Sequence, residues 1–436
     1  MISLIDKKIS NLAKGLSLEA PVFLPAPLEL RAGFNDTLPG KPDARLMIGD
    51  NLSYLRGLVI HSSKAVDICY IDPPYNTGSK FIYQDNRKSN NHILFGSHAA
   101  WMSFMLPRIY YARELLKSTG IIAISIDDYE YTYLKLLMDR VFGEQNFIGN
   151  IVVCRSKNGK GSRKNVATNH EYLLIYGNSS EASLNGEQDQ SQYPKEDEYG
   201  RFRTDGLFRK KGDASLKADR PNMHYPLYYD GKTGRVSVDP VDGWEVAFPK
   251  DSKGVERRWL WVKETARERQ WQLFASKNGV IYVKNYAGEA NAQKRRKIRT
   301  IWSDTNFYTE RATNELTGMF GSKVFDTPKP IDFIKKVIDI CGDNDSLILD
   351  FFAGSATTAQ AAYELNKVDL GSRKCILMET DSPIPENHAA SEAGFKRISD
   401  ISVARLKKIK ESDENYSFDS CSIDEAEKNS RSAFSD

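Results

Sequence analysis

The sequence predicts an α/β protein with a mostly parallel sheet, interrupted by an inserted region. Two observations predict this class. Short apolar segments typical of buried parallel strands alternate with segments of helical periodicity in the first 150 residues and again after residue 325. Between them, over about residues 155–325, the alternation stops and the chain becomes rich in basic and aromatic residues. The simplest interpretation is one sheet whose chain is interrupted by a basic insert.

Each predicted element follows from its periodicity and from the residues that end it. Segments that are apolar on both faces predict buried parallel strands, and apolar residues three and four apart predict helices. Proline stops a central strand, and glycine ends a helix. In chain order the predicted elements are strands 45–48 and 66–71, a helix from Trp101 that Gly120 ends, strand 121–126, helix 330–341, strand 347–350, helix 356–365 and strand 375–379.

The overall composition is that of an ordinary globular protein. Of the 436 residues, 40% are hydrophobic and 27% are charged, and no apolar run is long enough to span a bilayer. The N-terminus lacks the basic start and apolar stretch of a secretory signal, so we expect a cytoplasmic protein. The five cysteines are scattered and include no Cys-x-x-Cys pair, which predicts neither a disulfide framework nor a zinc site.

Charge is distributed unevenly along the chain. Residues 151–325 hold 31 Lys and Arg against 22 Asp and Glu, a net charge of +9, although the whole chain carries only +3. Residues 411–436 hold 2 against 8, a net charge of −6. The insert is therefore a candidate surface for a polyanion, and the acidic end is a candidate disordered tail.

The segment Asp72-Pro73-Pro74-Tyr75 carries the residue types that methylation of an amino group requires. An adenine amino group is a poor nucleophile because its lone pair is delocalised into the ring. The Asp72 carboxylate and a backbone carbonyl of the Pro-Pro turn could accept both amino hydrogens, which would free the lone pair for attack. Tyr75 offers a flat surface on which an extruded base could stack. Taken alone, the same four residues could also form a rigid turn without chemistry.

A second motif, residues 349–358, leads from a strand through a turn of small residues into a helix. Such a turn lets a ligand approach the backbone N–H groups at the helix start. With a single glycine, Gly354, it departs from the dinucleotide-binding pattern and fits a smaller adenosyl cofactor better. Glu379, at the end of the next strand, could accept hydrogen bonds from ribose hydroxyls, although an acid at a strand end is often only a helix cap.

Four phrases of the sequence resemble N6-adenine DNA methyltransferases of the β motif order, and in particular the modification (Mod) subunits of Type III restriction-modification systems. They are residues 70–78, 124–128, 169–172 and 327–330. The chain also resembles that family in its order of catalytic motif, target-recognition region and cofactor motif. The resemblance implies a site-specific enzyme that transfers a methyl group from S-adenosylmethionine to adenine N6 of double-stranded DNA by base flipping. It also implies a Rossmann-like, doubly wound sheet closed by an antiparallel edge strand.

The resemblance covers about residues 44–400 apart from the insert, and it implies a division of the chain and its partners. A homodimer is expected, within a restriction-modification or epigenetic system in which any restriction activity resides on a separate subunit. The implied segments are an N-terminal extension (1–40), the catalytic half of a methyltransferase domain (41–154), a target-recognition insert (155–325), the S-adenosylmethionine-binding half (326–410) and an acidic, disordered tail (411–436).

The resemblance also implies roles for individual residues. Asp72, Pro73, Pro74 and Tyr75 match the family's catalytic motif. Ala356 stands where many relatives have glycine, a departure that a helix start is expected to tolerate. The implied contacts to S-adenosylmethionine are Asp50, Asn51, Asp72, Thr327, Lys329, Pro330, Asp350, Phe352, Gly354, Ser355 and Glu379.

Basic residues of the insert, interleaved with aromatic ones, are candidate partners of DNA phosphates. A run of charge is more often solvated surface, but between the two flanking motifs the insert is the region left for target recognition. Asn169-His170-Glu171 could be a functional loop, although a lone histidine is usually structural. The candidate DNA-binding residues are Lys157, Lys160, Arg163, Lys164, Arg209, Lys210, Lys211, Lys294, Arg295, Arg296 and Lys297.

Other acceptors and other roles are alternatives to this interpretation. Cytosine N4 enzymes usually carry Ser at the first position of the catalytic motif and glutamine-modifying enzymes carry Asn, so Asp72 favours adenine, in DNA or in RNA. A DNA-binding subunit with a vestigial methyltransferase fold would not need intact Asp72, Tyr75, Asp350 and Glu379. A nuclease is disfavoured because the sequence has neither a separate nuclease-type acidic cluster nor a P-loop.

Overall fold

The computed structural model describes residues 1–18, 22, 24–25, 42–77, 97–159, 166–188, 193–286 and 295–422. The chain forms two compact units, of which the larger comprises Met1–Asn185 and Ile298–Asp436 and the smaller comprises Gly186–Lys297. The smaller unit covers fewer residues than the insert expected at 155–325. The reason is that the chain on either side of it, His170–Gly177 and Ile301–Trp302, supplies strands to the sheet of the larger unit.

Strands and helices are numbered along the chain within the described residues. The helices are α1 (Ile2–Gly15), α2 (Asn51–Ser62), α3 (His98–Leu115), α4 (Tyr131–Phe142), α5 (Lys263–Glu268), α6 (Thr309–Phe320), α7 (Ile331–Cys341), α8 (Thr357–Asp369), α9 (Ala389–Glu392) and α10 (Ile398–Ser412). The strands are β1 (Ala44–Ile48), β2 (Val66–Ile71), β3 (Leu116–Ile126), β4 (Phe147–Cys154), β5 (His170–Gly177), β6 (Glu187–Gln188), β7 (Lys195–Asp197), β8 (Gly200–Leu207), β9 (Leu227–Tyr229), β10 (Val236–Ser237), β11 (Glu245–Ala247), β12 (Leu273–Ala275), β13 (Ile281–Tyr286), β14 (Arg295–Arg296), β15 (Ile301–Trp302), β16 (Leu347–Asp350), β17 (Lys374–Glu379) and β18 (Phe418–Ser422).

One sheet of nine described strands forms the centre of the larger unit, in the order β15-β4-β5-β3-β2-β16-β17-β1-β18. Strand β5 runs antiparallel to both of its neighbours, β3 and β4, and the remaining neighbours pair in parallel. Parallel neighbours end on the same side of the sheet. The carboxyl ends of β2, β16, β17 and β1 therefore lie next to each other, although their residues are up to about 330 positions apart in the chain.

Helices cover both faces of this sheet, which is the doubly wound α/β class that the sequence predicts. Cys69 and Ile71 of β2 pack with residues of α1 to α4 in one apolar core. Ile68 and Tyr70 of the same strand pack with residues of α7, α8 and α10 in the core on the other face. Because both faces are buried, the strand is apolar on both faces except at Asp67, and this is why it could be recognised in the sequence.

Three expectations from the sequence are wrong in detail. The antiparallel strand β5 is not an edge strand, because β4 and β15 extend the sheet beyond it. Gly120 does not end a helix but lies inside β3, because α3 ends at Leu115 and the strand begins at the next residue. The acidic segment 411–436 is not wholly a tail, since Phe418–Ser422 pairs in parallel with β1 and Asp419 forms a salt bridge with Arg45. Residues 423–436 lie outside the described residues.

The smaller unit has its own apolar core, to which Phe208, Leu227 and Trp259 contribute. Its described strands form three sheets, β12-β13-β8-β7, β10-β9-β11 and β14-β6, all with antiparallel pairing. Most of these strands are only two or three residues long, so their periodicity is too brief to be seen in the sequence. Nowhere in the described chain does a helix have the length and apolarity needed to cross a membrane.

Candidate functional site

The carboxyl ends of β2, β16, β17 and β1 border one cavity of about 700 Å³ in the larger unit. All but one of the residues predicted to react or to bind a cofactor line it. The exception is Pro330, which is buried as the N-cap residue of α7. The predicted residues that line the cavity are Asp50, Asn51, Asp72, Pro73, Pro74, Tyr75, Thr327, Lys329, Asp350, Phe352, Gly354, Ser355 and Glu379.

The Asp72-Pro73-Pro74-Tyr75 segment follows β2 directly, and its polar groups are tied to one another. The Tyr75 hydroxyl lies 2.6 Å from Oδ1 of Asp72, and the ammonium of Lys329 lies 2.8 Å from the same oxygen. Lys329 also donates to the Tyr75 hydroxyl at 2.8 Å. Burial, together with the charges of Asp72 and Glu171, raises the pKa of Tyr75 well above its usual value, so the phenol keeps its proton. Lys329 therefore contacts the Asp72-Pro73-Pro74-Tyr75 segment (the reactive segment below), although the sequence suggested only a cofactor contact.

Glu171 of β5 and Arg155, just after β4, join this group, and neither was among the predicted site residues. Glu171 Oε2 lies 3.0 Å from the Tyr75 hydroxyl, 3.1 Å from the Lys329 ammonium and 3.1 Å from the Arg155 guanidinium. Burial alone would raise the pKa of Glu171, but the charges of Arg155 and Lys329 outweigh it and hold that pKa below the usual value. The segment Asn169-His170-Glu171 was noted in the sequence as a possible functional loop, but the sequence indicated no role for Glu171.

The carbonyl and the turn after the reactive segment are held by buried polar contacts. Trp101 Nε1 donates to the Pro74 carbonyl at 2.7 Å. Asn76 adopts a left-handed backbone with φ of 55°, and its amide donates to Glu130 at 2.6 Å. Glu130 is fully buried and also contacts the ring nitrogen Nδ1 of His98 at 2.9 Å. The segment is thus anchored to α3 and to the start of α4.

The glycine turn after β16 presents backbone N–H groups to buried acids. Gly354 N–H donates to Oε2 of Glu379 at 2.5 Å, and Thr380 N–H donates to Oε1 at 2.8 Å. Asp350 accepts from Phe352 N–H at 3.1 Å and from the Thr358 hydroxyl at 2.5 Å. Burial raises the pKa of Asp350 to about 7 and that of Glu379 to about 8, against the lowering effect of these hydrogen bonds. Both acids therefore titrate near neutral pH.

Backbone conformation in this turn limits which side chains it accepts. Gly354 has φ of +53°, and a Cβ there would lie 3.2 Å from the Phe325 ring. Ala356 is also left-handed, with φ of 60°, and glycine would adopt this conformation more easily. Arg405 of α10 holds the turn by two hydrogen bonds, which it donates to the Ser355 hydroxyl at 3.0 Å and to the Thr357 hydroxyl at 2.7 Å. Arg405 is buried, and nothing in the sequence predicted its role.

Asp50 and Asn51, at the start of α2, are held by Arg108 of α3. Arg108 donates to the Asn51 side chain at 2.7 Å, to Asp50 at 3.1 Å and to the Phe104 carbonyl at 2.8 Å. Asn51 in turn donates to the Phe351 carbonyl at 2.7 Å. Burial lowers the pKa of Arg108 to about 10, so the guanidinium stays charged at neutral pH beside Asp50. Arg108 lines the cavity as well and was not predicted.

The lining of the cavity suits the predicted cofactor, which combines a cationic methionine end with ribose hydroxyls. Acidic side chains outnumber basic ones by six to three. The glycine turn leaves room where a Cβ would meet Phe325, and Glu379 is an acceptor beside that turn. No group of metal-ligating side chains occurs among the described residues. The acids are Asp50, Asp72, Asp127, Asp350, Glu379 and Asp381, and the bases are Arg108, Arg155 and Lys329.

The described residues among the predicted DNA-binding set belong to both units. Lys157 is exposed in the larger unit, whereas Arg209 and Lys210 are half-buried and Lys211 and Lys297 are exposed in the smaller unit. Arg295 and Arg296 form the short strand β14. Lys160, Arg163, Lys164 and Lys294 lie outside the described residues.

Comparison with known proteins gives consistent matches. A family model described as DNA methylase matches residues 66–384. The Type II methyltransferase M.KpnI of Klebsiella pneumoniae is 60% identical over 374 residues, which cover 86% of this chain and 89% of that protein. The Mod subunit of the Type III restriction-modification enzyme EcoPI of Escherichia phage P1 is 35% identical over 398 residues, which cover 84% of this chain and 62% of the subunit. A solved structure of an M1.HpyAVI–SAM complex aligns with 83% of this chain and 100% of its own, at 12% identity and a TM-score of 0.35.

Proposed function

The chain belongs to the DNA methylase family, and from that premise we propose that it is a site-specific methyltransferase acting on adenine N6 of double-stranded DNA. The observation that carries the proposal is the position of Asp72-Pro73-Pro74-Tyr75 at the rim of the cavity that Gly354 and Glu379 also line. An acceptor motif and a candidate cofactor turn share one cavity, although 279 positions separate Asp72 from Phe351, the residue at which the turn after β16 begins. S-adenosylmethionine is the cofactor, and when bound it supplies an electrophilic methyl group on a sulfonium centre.

The acceptor groups around Asp72 fit an exocyclic amino group with two hydrogens. The Pro74 carbonyl already accepts a hydrogen bond from Trp101, whereas no described residue donates to the Pro73 carbonyl. The Pro73 carbonyl and the Asp72 carboxylate are thus the pair that would accept the two amino hydrogens. Acceptors fixed on either side of the nitrogen favour a tetrahedral geometry, in which the lone pair is free to attack. The nitrogen would then gain the methyl carbon as the bond between that carbon and the sulfonium sulfur breaks, with the bonding pair left on the sulfur, and the nitrogen would lose one of its hydrogens as a proton to water.

Tyr75 is the proposed stacking surface for a flipped adenine. Because an adenine inside a duplex cannot reach the cavity, base flipping is part of the proposal. The contacts of the Tyr75 hydroxyl with Asp72 and Lys329 fix the plane of the ring that lines the cavity. A ring held in one plane loses little freedom when a base stacks on it, and stacking is tolerant of base identity. The enzyme would instead distinguish adenine from other bases by the hydrogen bonds to its amino group.

The residues proposed to hold the cofactor lie on two sides of the cavity. The glycine turn at Gly354 and Ser355, with Asp350 and Glu379, would face the ribose and its base. Asp50 and Asn51, with Thr327 and Lys329, would complete the opposite side. In this scheme Pro330 acts by ending the Thr327–Lys329 segment at the start of α7 rather than by contact.

The basic side chains of the smaller unit and Lys157 are proposed to contact DNA phosphates, with the smaller unit contributing target recognition. Two relatives carry names from Type II and Type III systems, so a separate restriction subunit and pairing with a second copy of the chain also belong to the proposal. With DNA as the substrate, we expect the protein to work in the cytoplasm.

The test is transfer from labelled S-adenosylmethionine to mixed-sequence duplex DNA, followed by digestion to nucleosides. We expect label in N6-methyldeoxyadenosine, and label in N4-methyldeoxycytidine or none in DNA would refute the proposal. Asp72→Ala should abolish transfer while DNA binding persists. Asp67→Ala is the matched control, because Asp67 lies at the other end of β2, where it binds Lys117 and the Leu347 N–H.

A further inference from the structure

Glu171 contacts three side chains that come from separate parts of the larger unit. Its Oε2 lies within 3.1 Å of the Tyr75 hydroxyl, the Lys329 ammonium and the Arg155 guanidinium. Those three residues follow β2, precede α7 and follow β4, respectively. Only 3% of the Glu171 side chain is exposed, and Glu171 does not line the cavity. Any effect of Glu171 on a bound substrate must therefore pass through its neighbours.

The charges in this buried group balance each other. Lys329, which is 7% exposed, lies 2.8 Å from Asp72 and 3.1 Å from Glu171, so one ammonium serves two carboxylates. Arg155 supplies the second positive charge. Two cations thus face two carboxylates, and at Lys329 and Glu171, which are the buried members, an unpaired charge is strongly disfavoured. Removal of the Glu171 charge would leave Arg155 without this carboxylate and Lys329 balanced by Asp72 alone.

The two oxygens of Asp72 have different surroundings. Oδ1 is within hydrogen-bond distance of both the Tyr75 hydroxyl and the Lys329 ammonium, at 2.6 and 2.8 Å. Among the described residues, none donates to Oδ2. The Tyr75 hydroxyl carries a single hydrogen, so it can donate to Asp72 or to Glu171 at any moment but not to both. The position of the phenol and the ammonium between the two carboxylates decides which Asp72 oxygen is left open.

We propose that Glu171 is a positioning residue for methyl transfer. It anchors Lys329 and Tyr75 at Oδ1 of Asp72, and this turns Oδ2 towards the amino group of the target base. The inference rests on the proposed role of Asp72 as the amino acceptor. Since Glu171 contacts neither substrate and reaches the cofactor only through Lys329, its loss should lower kcat by far more than it weakens the binding of cofactor or DNA.

The experiment compares Glu171→Gln with Tyr176→Phe in steady-state assays with DNA and S-adenosylmethionine. Glu171→Gln keeps the shape of the side chain and removes the charge, and we expect kcat to fall about 100-fold, as misplaced reacting groups commonly cause. The KM for DNA and the Kd for S-adenosylmethionine should stay within about twofold of wild type, since no direct contact is lost. Tyr176 is the matched control on the same strand, since its hydroxyl loses a buried bond of 2.6 Å to Asp139 away from the cavity. Its kcat should match wild type.

A kcat of Glu171→Gln equal to that of Tyr176→Phe would overturn the proposal. A loss confined to KM or to cofactor affinity would also overturn it, because Glu171 would then act in binding. If Glu171→Gln does not fold, Glu171→Asp decides, since it keeps the charge and withdraws the carboxylate by one methylene. That variant should fold and lose about tenfold in kcat, and wild-type turnover by it would refute positioning. A wild-type enzyme that makes no N6-methyladenine refutes the proposed function instead, which separates the two failures.

Discussion

Trp101 Nε1 donates a hydrogen bond of 2.7 Å to the carbonyl oxygen of Pro74. Trp101 is fully buried in α3, so the bond is shielded from water and holds the peptide after Pro74 in one orientation. In the proposed mechanism the neighbouring carbonyl of Pro73 is left to accept a hydrogen from the target amino group. Trp101, which does not line the cavity, would thus select which carbonyl of the Asp72–Tyr75 segment can take part.

Trp101→Phe should lower kcat about fivefold, because a lost buried hydrogen bond costs about 1 kcal/mol and tenfold in rate is about 1.4 kcal/mol. The phenyl ring fills most of the same space but cannot donate to Pro74. The measurement is kcat at saturating DNA and S-adenosylmethionine. Trp302→Phe is the control, since Trp302 is also buried in the larger unit but its Nε1 has no hydrogen-bond partner among the described residues. Equal losses in both variants would contradict a role for the bond.

Cofactor affinity should rise with pH between about 6 and 8 because burial raises the pKa of Glu379 to about 8 and that of Asp350 to about 7. At pH 6 both groups hold a proton in the free protein. Ribose hydroxyls and a cationic ligand favour the ionised acids, so binding should release protons and tighten until the pH exceeds the pKa values of the free protein. Calorimetry in two buffers of different ionisation enthalpy measures the released protons.

Glu379→Gln tests which acid is responsible. The variant should bind the cofactor more weakly, and its remaining pH dependence should level off near pH 7, the pKa of Asp350, instead of near pH 8. A wild-type affinity that is flat between pH 6 and 8 would show that neither acid changes its protonation on binding.

The strands around the cavity could be predicted because both of their faces are buried. Val66–Ile71 is apolar except for Asp67, Leu347–Asp350 is apolar up to its last residue, and the residues proposed to act lie at or just after these strand ends. Asp72, Asp350 and Glu379 could therefore be selected from local patterns alone. Their meeting in one cavity follows from the parallel strand order, in which carboxyl ends share one edge.

The residues that hold these groups in place could not be predicted. Arg108 and Trp101 lie on a helix that is buried almost all round, so nothing in its periodicity marks the two polar contacts as special. Arg405 sits on α10, about 50 residues beyond the turn that it supports. Glu171 became recognisable only once β5 was paired between β3 and β4. Such contacts depend on tertiary packing, which leaves no local signal in the sequence.

Arg108→Lys should weaken S-adenosylmethionine binding about tenfold, or about 1.4 kcal/mol, because lysine cannot reach several acceptors from one planar group. Arg108 bridges Asp50, Asn51 and the Phe104 carbonyl, and loss of this bridge would release the start of α2 into the cavity. Equilibrium binding of labelled cofactor is the measurement.

Arg56→Lys is the matched control for this effect. Arg56 is equally buried, in α2, and binds Asp6 and the Tyr111 hydroxyl, but it does not line the cavity. It should cost thermal stability and leave cofactor affinity unchanged. If both variants lose affinity to the same extent, the cause is general loosening of α2 rather than the contacts with Asp50 and Asn51.

Ala356→Gly should stabilise the protein by about 0.5–1 kcal/mol, because a left-handed alanine costs about 1–2 kcal/mol and glycine returns part of that gain as unfolded-chain entropy. The backbone at Ala356 has φ of 60° and ψ of 33°. Ala361→Gly, inside α8, should have the opposite sign and destabilise by about 1 kcal/mol, since glycine is unfavourable in a helix interior. Chemical denaturation of the two variants gives both values, and stabilisation by neither would show that the turn relaxes around the alanine.

Replacement of both Lys210 and Lys211 with alanine should weaken DNA binding to the same degree on every sequence, because phosphate contacts carry no sequence information. Each lost contact should reduce the slope of log affinity against log salt by about 0.9, so the double variant should differ from wild type by about 2. Lys407 and Lys408 are adjacent exposed lysines on α10, and their double alanine variant should keep the wild-type slope. A loss of affinity for one sequence only, with the slope unchanged, would mean that Lys210 and Lys211 read bases instead.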